Sequence, residues 1–186
     1  MSLRRGFKAE ANRLSLRMRR HLGLAPHAPI NLHMLAARLG SRVAKLSEFA
    51  DEHGEAVCQL TRRDRSAFSA ATIPLPGLRR VIVVNDSHSE GRQNSNVALE
   101  IAHLLLGHDF TLPIDASGCR SIDRDVEDEA NWLGPTLLIP NEAALHILCE
   151  EMDEAIACCR NGVTAAVLKM RINTSGARIR IARRYH

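Results

Sequence analysis

The residues best placed to do chemistry are Glu100 and His103, within Leu99-Glu100-Ile101-Ala102-His103. On a helix, residues four apart lie one turn apart on one face, so two histidines at that spacing can grip a single metal ion. A glutamate directly after the first histidine then polarises the metal-bound water and carries its proton. Here the glutamate and the second histidine are present. Leu99 stands where the first histidine would be, and it has no lone pair to give. Taken alone, the segment also reads as an apolar helix, with Ala98, Leu99, Ala102, Leu105 and Leu106 packed inward.

A second segment bears on that choice. Glu127-Asp128-Glu129-Ala130-Asn131-Trp132-Leu133 follows His103 on a separate predicted helix. A glutamate on such a helix commonly supplies the third ligand of a histidine-held zinc. Five cysteines (Cys58, Cys119, Cys149, Cys158 and Cys159) are odd in number and lack CxxC spacing. That pattern predicts reduced thiols in a cytoplasm and argues against a disulfide framework or a thiolate-held zinc. No apolar run is long enough to span a membrane, and no signal-like apolar stretch follows the basic start.

The elements that must position these residues can be read along the chain. Phe7, Ala11, Leu14, Met18 and Leu22 recur at helical spacing, with Arg13, Arg17, Arg19 and Arg20 expected on the solvated remainder, and Gly23 is a stop. Asn31 is a cap for a second helix ending before Gly40. Arg42–Leu46, Ala56–Leu60 and Val81–Val84 read as short strands, with Ser47–Glu55 joining the first two and Pro74-Leu75-Pro76-Gly77 turning into the last. A helix is expected from Asn94 to Leu106 with Gly107 at its end, then a loop containing Pro113 and Gly118. Asp123 would cap the next helix, which Gly134-Pro135 is expected to disturb. Two or three short helices fill Asn141 to Ile172. The order predicts an α+β domain, not a βαβ repeat.

In order and spacing, these pieces resemble the ImmA/IrrE family of zincin-like metallo-endopeptidases. The resemblance runs from about Gly6 to the C-terminus. It is carried by Val81-Ile82-Val83-Val84-Asn85, Arg92-Gln93-Asn94-Ser95, Leu104-Leu105-Leu106-Gly107-His108, the Glu-x-Glu-Ala-Asn segment, and Gly162-Val163-Thr164 before Arg171-Ile172-Asn173. It implies a small twisted sheet backed by helices over residues 1–140, with a C-terminal helical, helix-turn-helix-like appendage over 141–186. It also implies one zinc and cleavage of a helix-turn-helix repressor encoded beside the gene. Glu100 matches the general base and His103 the second zinc ligand. Glu127 matches the third ligand, with Glu129 as the alternative, and Asn131 would orient a ligand from behind. Leu99 breaks the pattern at the first ligand, and two protein ligands would hold zinc weakly. Two histidines are candidate substitutes for the missing ligand. His108, five residues on, projects about 140° around the helix from His103 and is expected on another face, meeting the helix dipole. His88 lies in the loop before the helix.

The expectation is therefore a degenerate metallopeptidase acting through protein binding, with a repressor-like protein or a second copy of itself as partner. The alternative is an active zinc peptidase using a substitute ligand. A third reading is a DNA-associated regulator. Glu150–Cys159 and Thr164–Met170, joined by Arg160-Asn161-Gly162, resemble a helix-turn-helix, and Arg171, Arg178, Arg180, Arg183 and Arg184 could neutralise phosphates. Charge is segregated in a way that bears on all three. Residues 1–45 carry ten Lys/Arg against one acid, residues 46–168 nine against twenty, and residues 169–186 six against none, within a net +4. The acidic centre contains the candidate site and suits a cation better than a nucleic-acid groove. No membrane partner is expected.

Overall fold

The computed structural model describes residues 3–77, 79–108 and 124–183. The expected Asp123 cap, the Pro113 and Gly118 loop, Cys119 and Arg184 lie outside them. Helix α1 spans Phe7–His21 and ends in a Schellman turn, where the Leu24 amide reaches the Arg19 carbonyl and that of Gly23 the Arg20 carbonyl. Helix α2, Leu32–Arg38, starts where the Asn31 side chain accepts the Met34 amide. A three-stranded sheet has the order β1 (Ser41–Lys45), β3 (Arg80–Val84), β2 (Ala70–Pro74). β1 runs parallel to β3 and β2 antiparallel to it. This is the small mixed sheet of an α+β domain, packed with helices as expected.

Two expectations about the sheet fail. Ala56–Leu60 is not a strand, and Ser47–Glu55 is not a plain loop. A 3-10 turn at Leu46–Phe49 leads into α3, Ala50–Cys58, followed by a π turn through Gln59–Arg63 closed by the Asp64 amide on the Gln59 carbonyl. A five-residue apolar run cannot by itself separate strand from helix, and Val57 is the residue of α3 that is buried. The third strand is instead β2, which pairs antiparallel with β3 and whose alanines give little strand signal. It joins β3 through a tight turn in which the Leu75 amide bonds the Arg79 carbonyl. As an edge strand it tolerates Pro74.

Helix α4, Glu90–Leu106, begins one turn earlier than expected, and α5 spans Arg124–Leu138. Gly134-Pro135 does not break α5. The amide that Pro135 lacks would have bonded the carbonyl of Asn131, an exposed residue, while Leu133, Leu137 and Leu138 are almost completely buried. Burying such side chains is worth about 1.5–3 kcal/mol each, enough to carry the helix through one proline. Gly134 has its own function. A Cβ there would lie 3.2–3.3 Å from the backbone of Ala98 and Leu99, so its absence lets α5 approach α4 closely. These two helices share the most extensive contact in the molecule.

After Pro140 come α6 (Asn141–Cys149), α7 (Glu154–Asn161), α8 (Ala165–Thr174) and α9 (Ala177–Ala182). The expected helix from Glu150 starts later, because Asp153 accepts the Ala155 and Ile156 amides and sets its first turn. Thr164 caps α8 through the Val167 amide. One buried cluster runs from Phe7 to Ala177 and includes Val97, Ala98, Ile101, Ala102, Leu133 and Leu137.

The two ends meet α5 through buried arginines. Arg19, expected on the surface, is 0% exposed and donates to the Leu138 and Ala28 carbonyls and the Ser15 hydroxyl. Arg171, expected in a phosphate-facing tail, is 1% exposed and donates to the Ile139 carbonyl and the Asn141 side chain. The Leu138 and Ile139 carbonyls lie at the C-terminal, negative end of the α5 dipole, which favours cations. Burial pushes both guanidiniums down to about 10, and Glu142 partly offsets this. Both stay charged at neutral pH.

Candidate functional site

Glu100 and His103 project from α4 between the sheet and α5. Ile101 and Ala102 are fully buried and fix the helix against the core, leaving Glu100 and His103 on its half-buried side. The Glu100 carboxylate accepts a hydrogen bond from the Thr72 hydroxyl of β2 at 2.7 Å. The missed strand therefore supplies the partner of the residue matched to a general base.

His103 has a neighbour on each ring nitrogen. Its Nε2 lies 3.6 Å from the Glu127 carboxylate of α5, beyond hydrogen-bond range. Its Nδ1 lies 2.9 Å from Nδ1 of His108, and the two rings meet edge-on with centroids 5.0 Å apart. Burial and the neighbouring His108 together push the His103 imidazole down to about 4, so it is neutral at pH 7.

The position of His108 corrects the sequence reading. Continuing the helical phase past Leu106 sends residue 108 to another face, but the chain leaves the helix at Gly107, which adopts φ 69°. The His108 amide then bonds the His103 carbonyl and the Gly107 amide the Leu104 carbonyl. In this Schellman arrangement the residue after the left-handed glycine folds back over the one five positions earlier. Gly107 carried that signal in the sequence.

The remaining residues separate. Glu129 turns away from His103 and accepts from Arg4 Nε at 2.7 Å, while Arg4 also pairs with Glu10. Glu127, not Glu129, is the carboxylate beside His103. Asn131 is exposed. His88 is buried, with its Nε2 at 2.8 Å from the Arg65 carbonyl. Leu99 packs against the main apolar cluster.

A catalytic zinc needs three protein ligands and one open position. Among the described residues, no group of three or more His, Cys, Asp or Glu side chains is arranged to hold a metal ion. His103 Nε2 and Glu127 are spaced as two ligands of one ion might be, but Leu99 contributes no donor. His108 contacts the opposite nitrogen of the His103 ring and does not stand in for the missing ligand. The described donor set does not fit a catalytic zinc.

The arrangement defines a class: an α+β domain in which a Glu/His helix lies between a small mixed sheet and a glutamate-bearing helix. The chain matches the IrrE N-terminal-like domain, the M78 peptidases, over residues 45–173, and it belongs to that family. No curated protein matches it. Among the described residues, no helix is long and apolar enough to cross a membrane. Cys58, Cys149, Cys158 and Cys159 are free thiols.

Proposed function

We propose that this M78-family chain is a degenerate metallopeptidase that acts in regulation by binding a protein without cleaving it. The observation that carries the reading is Leu99. It occupies the first-ligand position of the active-site helix and is packed with the core as an apolar residue. The expected partner is the one the family resemblance implies, a repressor-like protein encoded beside the gene.

The sheet offers a surface suited to such a partner. β2 is an edge strand whose outer side has no strand neighbour among the described residues, and Ile73 on it and Leu75 just after it are each 45% exposed. An open strand edge presents backbone donors and acceptors to an extended segment, with alternate side chains giving specificity. The DNA reading loses support. Arg171 is buried, and Lys169 of α8 is paired with Glu154 at 3.2 Å.

The test mixes the purified chain with the neighbouring repressor-like protein and follows binding by calorimetry and cleavage by mass spectrometry. The expected outcome is a complex with the repressor intact, weakened about tenfold by Ile73→Arg through loss of an apolar contact and repulsion at the edge. Repressor fragments that disappear in Glu100→Gln would contradict the proposal.

A further inference from the structure

Two polar groups of the α4 motif have a protein partner: His103 meets His108, and Glu100 accepts from Thr72. A Schellman turn is usually accompanied by an apolar contact between the residue after the glycine and the one five positions back. Here that contact is a pair of imidazoles within hydrogen-bond distance. A ligating histidine is ordinarily oriented by a partner on its second ring nitrogen, with the metal on the first. The orienting half of that arrangement is present.

We propose that the His103 centre of this chain is a metal-independent joint. The His108 ring, returned by the Gly107 turn, fixes the orientation of His103. The Thr72–Glu100 bond ties β2 to the same helix. Together they hold the end of α4 against β2 with no cation. This inference rests on the degenerate reading of the site and extends it to regulation: zinc supply neither stabilises the protein nor switches it. A group that binds only the folded state raises stability by mass action, so a joint without metal is insensitive to zinc and to chelators alike.

Amide hydrogen exchange on the full chain tests this in EDTA and in excess zinc chloride, for wild type, His108→Ala, His108→Asn and Thr72→Val. Wild type is expected to show the same protection in both buffers. In His108→Ala, the amides at 107 and 108, which bond the Leu104 and His103 carbonyls, should exchange about tenfold faster in either buffer, because the local opening becomes easier. His108→Asn, which keeps a side-chain donor, should fall between. Thr72→Val should speed exchange along β2 by a similar factor. Unchanged protection in all three variants, with wild type indifferent to zinc, would overturn the joint and leave the degenerate reading standing. A zinc-dependent rise in wild-type protection around His103 would overturn both.

Discussion

At the scale of single residues, the proposed function turns on Leu99. A leucine cannot donate to a metal, and Leu99 instead adds its side chain to the apolar cluster beside Ala98 and Ala102. Leu99→His places an imidazole one turn before His103 on the same face, at the spacing that lets two rings share one ion. The expected outcome is zinc binding by the variant, measured by metal analysis after dialysis. Losing apolar burial should cost stability of about 1–3 kcal/mol, measured by urea denaturation. If the variant binds no zinc, the assignment of His103 and Glu127 as residual ligands is wrong. The Leu99 substitution was legible in the sequence, because a helical motif with one wrong residue is visible as a string. The His103–His108 pair was not read, because helical phase was extrapolated through a glycine that ends the helix.

At the scale of elements, the close contact between α4 and α5 positions the site, and Gly134 makes that contact possible. An added Cβ would press on the backbone of Ala98 and Leu99, which cannot yield as a flexible side chain would. Gly134→Val is therefore expected to destabilise the protein by about 1–3 kcal/mol in chemical denaturation, and to separate His103 from Glu127. Unchanged stability would mean the helices are not packed as described. The sequence made the caps readable, because Asn31 and Thr164 each act on an amide three residues away. It did not reveal β2, whose strand character comes from pairing with β3 more than from its own alanines. Nor did it reveal the continuity of α5 through Pro135, which depends on burial contributed by distant helices.

For the whole molecule, the segregated charge acquires two meanings. Part of the positive charge at the ends is internal: Arg19 from α1 and Arg171 from α8 close the carbonyl end of α5 from opposite directions in sequence. They bind α1 and α8 to the end of the helix that carries Glu127. Arg19→Met or Arg171→Met would leave buried carbonyls without donors and is expected to cost about 1–3 kcal/mol in each case, read as a lowered denaturation midpoint. Arg19→Lys should recover little, because one ammonium cannot reproduce the fork that reaches Ser15, Ala28 and Leu138. Wild-type stability in either methionine variant would show that the ends are merely appended. Of the remaining positive charge at the ends, Arg13, Arg17 and Arg20 are exposed. Sequence alone could not separate the two sets, since burial of an arginine depends on carbonyls more than 100 residues away in the chain.

The central claim is that an M78-family domain has kept its architecture while losing the means to hold a catalytic zinc. Its most direct test is the zinc content of the purified wild-type chain after exhaustive dialysis against metal-free buffer, measured by inductively coupled plasma mass spectrometry. The account predicts far less than one zinc per chain, with no change in the denaturation midpoint when EDTA is added. One zinc retained per chain would contradict it.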